Sequence, residues 1–197
     1  LGRLDPRGTP AASHGLALAL SDAAARSEGR SLAAHLASAH GFPSPTETVP
    51  VNATVGDGDP ETTANAARRA VSEGFDCVKL KVGARSIDAD VERLRAVRDA
   101  VGDGVSLRAD ANGAWDRSTA REALDRLEPI GLDYVEQPLP GDDLDGAAAL
   151  RAERDGRESD AAEAPIRIAL DESLAHHSLD TVLDADAADE IGRASCR

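Results

Sequence analysis

Only two of the 22 basic residues in this 197-residue chain are lysines, and they sit one residue apart as Lys79 and Lys81. The other 20 are arginines. Lysine can give up its proton when its surroundings disfavour the charge, and arginine effectively cannot. Two residues apart on a strand, the lysines share a face. Each ammonium lowers the pKa of the other, and a nearby metal lowers both, which is how a lysine becomes a general base near neutral pH. Acidic groups follow at intervals: Asp110 with Asn112, Glu136 with Gln137, and Asp171 with Glu172 and Ser173. Taken singly, each acid reads as a helix cap or a surface charge. Gathered in one pocket, Asp110, Glu136 and Asp171 would repel strongly without a cation. An all-oxygen set with open positions suits Mg²⁺, with Mn²⁺ as an alternative. No Cys/His cluster with zinc spacing occurs.

What must position these groups is a series of short strands. Residues 13–40 read as helix, interrupted at Gly29, and Gly41–Pro45 reads as a linker. The pattern then alternates. Strands are expected at Val49–Val55, Cys77–Val82, Val105–Ala109, Asp133–Glu136 and Ile166–Leu170. Helices are expected at Pro60–Glu73, Ile87–Val101, Ser118–Leu127 (capped by Ser118), Leu144–Glu153 and Leu174–Leu183. The charged run from Arg151 to Ala164 reads as a solvated insertion. Strands each followed by a helix imply parallel βαβ units with right-handed crossovers. An open doubly wound sheet and a closed barrel both fit. No Gly-x-Gly-x-x-Gly follows the first strand and no Walker A run occurs, which weakens nucleotide-binding versions. In a barrel, the C-terminal strand ends form the active face. Lys79 and Lys81, Asp110, Glu136 and Asp171 would then line one rim in order.

Composition narrows the class further. The 36 acidic against 22 basic residues leave a formal charge of −14, with 41% hydrophobic residues. That is enough apolar content for a core, and the charge disfavours non-specific nucleic-acid binding, which needs a basic face. No run is long and apolar enough to span a membrane, and the start of the chain shows no signal peptide. Cys77 and Cys196 make no disulfide framework. The reading is a soluble cytoplasmic protein. The acidic, Arg-over-Lys composition is that of a salt-adapted organism.

Four stretches carry a resemblance: Val78-Lys79-Leu80-Lys81-Val82-Gly83, Arg108-Ala109-Asp110-Ala111-Asn112-Gly113, Tyr134-Val135-Glu136-Gln137-Pro138 and Ala169-Leu170-Asp171-Glu172-Ser173. Together they resemble the enolase superfamily and, within it, the muconate-lactonizing-enzyme subgroup with its Lys-x-Lys motif. Val49-Pro50-Val51-Asn52-Ala53 further resembles the o-succinylbenzoate synthases and their N-succinylamino acid racemase relatives. The resemblance implies an α/β fold, an incomplete (β/α) TIM-type barrel of about five to six units over residues 46–189. The helical tail of an α+β capping domain would occupy 1–45. It implies Asp110, Glu136 and Asp171 as ligands of Mg²⁺ and Lys81 as the acid/base. Lys79 would be the partner that tunes Lys81 and contacts the substrate carboxylate. Asn112, Gln137, Glu172 and Ser173 would bind substrate or support the ligands. The five histidines match no catalytic position.

The implied chemistry is removal of a proton alpha to a carboxylate, with the metal steadying the ene-diolate. The expected outcome is dehydration by an o-succinylbenzoate synthase-like lyase of menaquinone biosynthesis. A racemase of N-succinylamino acids or a dipeptide epimerase is the first alternative, and a catalytically inactive fragment the second. The expected partner is a small carboxylate substrate, with no nucleic acid or membrane, and self-association is left open. The chain departs from the family at its end. A sixth strand carrying a second lysine is expected near position 194, yet 190–197 read Glu-Ile-Gly-Arg-Ala-Ser-Cys-Arg. That tail shows no apolar strand and no lysine, as a truncation or frameshift would leave, and the fragment by itself is expected to be inactive.

Overall fold

Apolar residues at alternate positions of the strands, and at every third or fourth position of the helices between them, build the layered core of the second half of this chain. The computed structural model describes residues 9–155 and 165–192. Two compact units divide after Pro50, five residues beyond the boundary read from the Gly/Pro-rich segment. The first unit holds α1 (Pro10–Ser27) and α2 (Leu32–His40). Gly29, at φ +68°, ends the first helix, and Ser31 caps the second by accepting from Ala34 N at 3.2 Å.

The second unit begins with β1 (Ala53–Val55) and α3 (Pro60–Ser72), followed by β2 (Cys77–Lys81) and α4 (Ile87–Val101). Next come β3 (Ser106–Asp110), α5 (Arg117–Leu127), β4 (Tyr134–Glu136) and α6 (Leu144–Asp155). It closes with β5 (Arg167–Leu170), the short helices α7 (Ser173–His176) and α8 (Leu179–Asp184), and β6 (Glu190–Ile191). All six strands are parallel and lie in chain order, β1 to β6. Among the described residues this is the wall of a (β/α) barrel, six strands against the eight of a closed one. One strand face, with Val78, Leu80, Leu107, Ala109, Val135, Ile168 and Leu170, shares a buried cluster with Ala67, Leu94, Val97, Leu124 and Leu150 of the helices. Alternation sends the opposite set, Lys79, Lys81, Arg108, Asp110, Tyr134 and Glu136, to the other face.

Several expectations need correction. The sequence suggested no strand after Asp189, but Glu190 and Ile191 pair with Ala169 and Leu170. Gly192 N continues that ladder to Leu170 O at 2.9 Å. One apolar residue suffices because β5 supplies the template. The place near 194 expected for a lysine lies outside the described residues, as does 156–164 of the charged insertion. The first strand starts at Ala53 rather than Val49, and Val49 and Val51 are exposed. Helix α5 is capped by Asp116, which accepts from Thr119 N at 2.7 Å, while Ser118 only donates to that carboxylate. The expected helix 174–183 is two helices, the second capped by Ser178. Among the described residues, no helix is long and apolar enough to cross a membrane.

Candidate active site

The register of the sheet sets the site. Lys81 pairs with Asp110, Asp110 with Glu136, and Glu136 with Ala169. Asp171 lies two residues beyond Ala169, on the same face and one rung higher. Four neighbouring strands therefore bring all five expected side chains to one rim. Lys79 reaches up from the rung below: its Nζ lies 2.6 Å from Glu136 Oε2 and 2.9 Å from Asp110 Oδ2. Lys81 Nζ donates to the same Asp110 oxygen at 2.7 Å and to Asn112 Oδ1 at 2.6 Å. The two lysines differ in access, with side chains 17% and 36% exposed for Lys79 and Lys81. Lys81 is the more open of the two.

The βα loops hold the rest. Asn112 sits at φ +47°, a left-handed conformation that Asn tolerates better than most residues. Its N–H donates to Asp110 Oδ1 at 3.1 Å and its Nδ2 to Glu172 Oε1 at 2.8 Å. Gln137, at φ +42°, is buried and staples β4 to the end of β5. Its Oε1 accepts from Asp171 N and Ser173 N, each at 3.1 Å, and its Nε2 donates to Ser173 Oγ at 3.0 Å and Leu139 O at 2.8 Å. Gln137 thus holds the backbones of Asp171 and Ser173 together, while Asn112 links Asp110 to Glu172. A strained backbone at two successive strand ends is a common mark of a functional site.

Charge is unevenly shared across the rim. Burial works against the charge of Asp110, but hydrogen bonds from Lys81 and Lys79 outweigh it and hold the carboxyl below its usual range. Burial, the hydrogen bond to Glu172 and the charges of Glu172 and Glu136 push Asp171 up to about 8. Lys79 corrects an expectation. Burial disfavours its ammonium, but the hydrogen bonds to Glu136 and Asp110 win and its pKa is raised rather than lowered. Two carboxylates face it, and they count for more than the neighbouring lysine.

Among the described residues, no three His, Cys, Asp or Glu side chains are drawn together as a metal cluster. The ammonium of Lys79 stands between Asp110 and Glu136. The donor set nonetheless fits a hard divalent cation. It is all oxygen, it is buried, and it already turns two carboxylates toward a positive charge.

Sequence reasoning missed two residues beneath this rim, Asp90 and Arg93 of α4, which are 2% and 1% exposed. The available signal was position: they fall on the helical stripe of Leu94 and Val97, where a charge is out of place.

Comparison with known proteins shows the family and the fold. The family model described as "Enolase C-terminal domain-like" matches residues 62–194. The o-succinylbenzoate synthase of Thermobifida fusca is 41% identical over 156 residues, 77% of this chain and 44% of that protein. The crystal structure of N-succinyl Arg/Lys racemase from Bacillus cereus aligns with TM-score 0.65 and 30% identity, covering 75% of this chain and 37% of that one. A dipeptide epimerase from Cytophaga hutchinsonii, solved with Mg and the dipeptide D-Ala-L-Val, aligns with TM-score 0.63 and 29% identity over 75% of this chain and 38% of that one. The chain thus spans about two fifths of the length of these relatives.

Proposed function

We propose a function from one premise: the chain belongs to the enolase C-terminal domain-like family. It supplies the proton-abstracting wall of an enzyme that acts on the carbon alpha to a carboxylate. The observation that carries this reading is the placement of Lys81. Its Nζ is the more open of two lysines, is aimed by Asp110 and Asn112, and shares a rim with Glu136 and Asp171. Lys81 takes the alpha proton. Asn112 Oδ1 and Asp110 Oδ2 fix the direction of its Nζ, and Lys79 offers a second positive charge beside the substrate carboxylate. Asp110, Glu136 and Asp171 would hold a Mg²⁺ or Mn²⁺ ion, whose charge would offset the negative charge that builds on the carboxylate oxygens. Gln137, itself bonded to Ser173, keeps the Asp171 backbone in place. The rate gain comes from groups set in advance around the developing charge.

The preferred outcome after proton removal is loss of a β-hydroxyl, as in an o-succinylbenzoate synthase. That follows the 41% identity to such an enzyme and the Val49–Ala53 stretch. A racemase acting on N-succinylamino acids is the second reading, favoured by the likeness to the Bacillus cereus structure. The test uses the full-length protein with Mg²⁺ in D₂O. Proton NMR should show the alpha proton of an N-succinylamino acid exchanging for deuterium, and Lys81→Arg should abolish that exchange. Exchange that persists in the Lys81→Arg protein would sink the assignment. Product analysis with a β-hydroxy carboxylate then separates dehydration from racemisation.

A further inference from the structure

Arg93 and Asp90 form an ion pair almost out of reach of solvent, on the face of α4 that packs toward β2. Arg93 Nη2 donates to Asp90 Oδ1 at 2.7 Å and to the carbonyl oxygen of Lys81. The other carboxylate oxygen, Asp90 Oδ2, accepts from Gly83 N at 2.7 Å. The pair therefore grips the backbone on both sides of Val82, whose N–H continues the ladder to Asp110 O at 2.9 Å. On the other side of β2, the paired residues of β1 stop at Val55, opposite Leu80. Lys81 lies past the end of that neighbour, and Arg93 supplies a donor there. Gly83 adds a third restraint. It sits at φ +87°, and a Cβ there would come within 2.7 Å of Ala114 Cβ and 3.2 Å of Trp115 Nε1.

Stability explains this pair poorly. A buried ion pair is weak support for a fold, and an apolar replacement of similar volume often serves as well. Arg93 is poorly satisfied besides: among the described residues its Nε and Nη1 are buried without a hydrogen-bond partner, and Asp57 Oδ1 lies 3.9 Å from Nε. An apolar side chain could pack α4 against the sheet. It could not hold the Lys81 carbonyl or, through Asp90, the Gly83 amide.

We propose that Arg93 and Asp90 are positioning residues for Lys81: their ion pair fixes the end of β2 so that Lys81 Nζ meets Asp110 and Asn112. The proposal rests on the reading that Lys81 moves the proton, and its first readout is independent of turnover. In the full-length protein, Arg93→Met is compared with wild type by amide hydrogen exchange and mass spectrometry. Because that change leaves Asp90 buried without its counter-ion, Asp90→Asn/Arg93→Met serves as a second variant. Exchange at 82–84 should speed up by roughly tenfold or more in both variants, with peptides from α3 and β4 unchanged. Where the wild type turns over, kcat should fall by roughly a hundredfold at near-constant KM. Mg²⁺ affinity should hold, and Arg93→Lys should recover part of kcat. Unchanged exchange at 82–84 would overturn the proposal, as would exchange that rises across the whole chain in both variants, or a wild-type kcat in Arg93→Met. A local exchange change in a protein that moves no alpha proton would keep the positioning role and discard the proposed reaction.

Discussion

The two ends of the sheet meet their charges in opposite ways. At the N-terminal end, arginines turn to backbone. Arg98 donates to the carbonyls of Gly102, Val105, Ile130 and Gly131 at 2.7–3.0 Å, tying the end of α4 to the entries of β3 and β4. Arg154 donates to Ile166 O at the entry of β5, at 3.2 Å, and to the carboxylates of Asp125 and Glu128. At the C-terminal end, charged side chains turn to one another: Lys79 to Glu136 and Asp110, and Lys81 to Asp110. A carbonyl accepts a donor without any change in its own charge, so the first end is settled. A carboxylate that faces a lysine can change partner, and Asp110, shared between Lys79 and Lys81, has two to choose from. One end is built to stay as it is and the other to respond.

Substitutions at the two ends should therefore fail differently. Glu136→Gln should lower turnover of the full-length enzyme by roughly a thousandfold and weaken Mg²⁺ binding in calorimetry, while leaving the denaturation midpoint near wild type. Unchanged affinity would remove Glu136 from the metal set. Arg98→Ala should do the reverse. It frees four backbone carbonyls and should cost about 3 kcal/mol in denaturant unfolding, with metal affinity kept; a loss of affinity alone would erase the contrast.

The sequence carried the C-terminal end better than the N-terminal one. Lys79, Lys81, Asp110, Glu136 and Asp171 each follow a short apolar run, so their emergence from buried strands could be read directly. Arg98 could not be read that way. In a helix with Arg95 alongside, it looks like part of a solvated face, and only the fold shows that it meets four carbonyls. Gln137 was found by its place after Glu136, but its grip on Ser173 and the Asp171 backbone depends on a positive φ that nothing local announces. Strand β6 was missed because its pairing comes from β5 and not from its own residues. Asp116 lost to Ser118 as the expected cap of α5 because both types cap well and they stand two residues apart.

Gly83→Ala tests the region between the ends. Its Cβ would clash with Ala114 at a φ that disfavours any side chain, so a loss of about 2 kcal/mol in stability is expected, with slower turnover because Lys81 is two residues away. A neutral result would show that the β2–α4 loop yields. The smallest effect belongs to Asp116, whose carboxyl is held down to about 2 by the Thr119 backbone amide, Ser118 and Thr119. A lowered native pKa contributes stability that is present above the ordinary 3.8 and lost as pH falls through about 2. Asp116→Asn keeps a cap that does not ionise, so its thermal melts should fall less steeply over that interval. Parallel melting curves would contradict the assignment.

The restriction of lysine to positions 79 and 81 also has a consequence for proteolysis. A lysine-specific protease can cut this chain only after those two residues, and both lie in β2, Lys79 paired to β1 and β3 and Lys81 to β3. A protease needs an extended, free backbone, so cleavage into 1–81 and 82–197 requires the sheet to open at β2. The cutting rate would report the opening of that one strand, in a chain whose 20 arginines would give trypsin many sites to choose from.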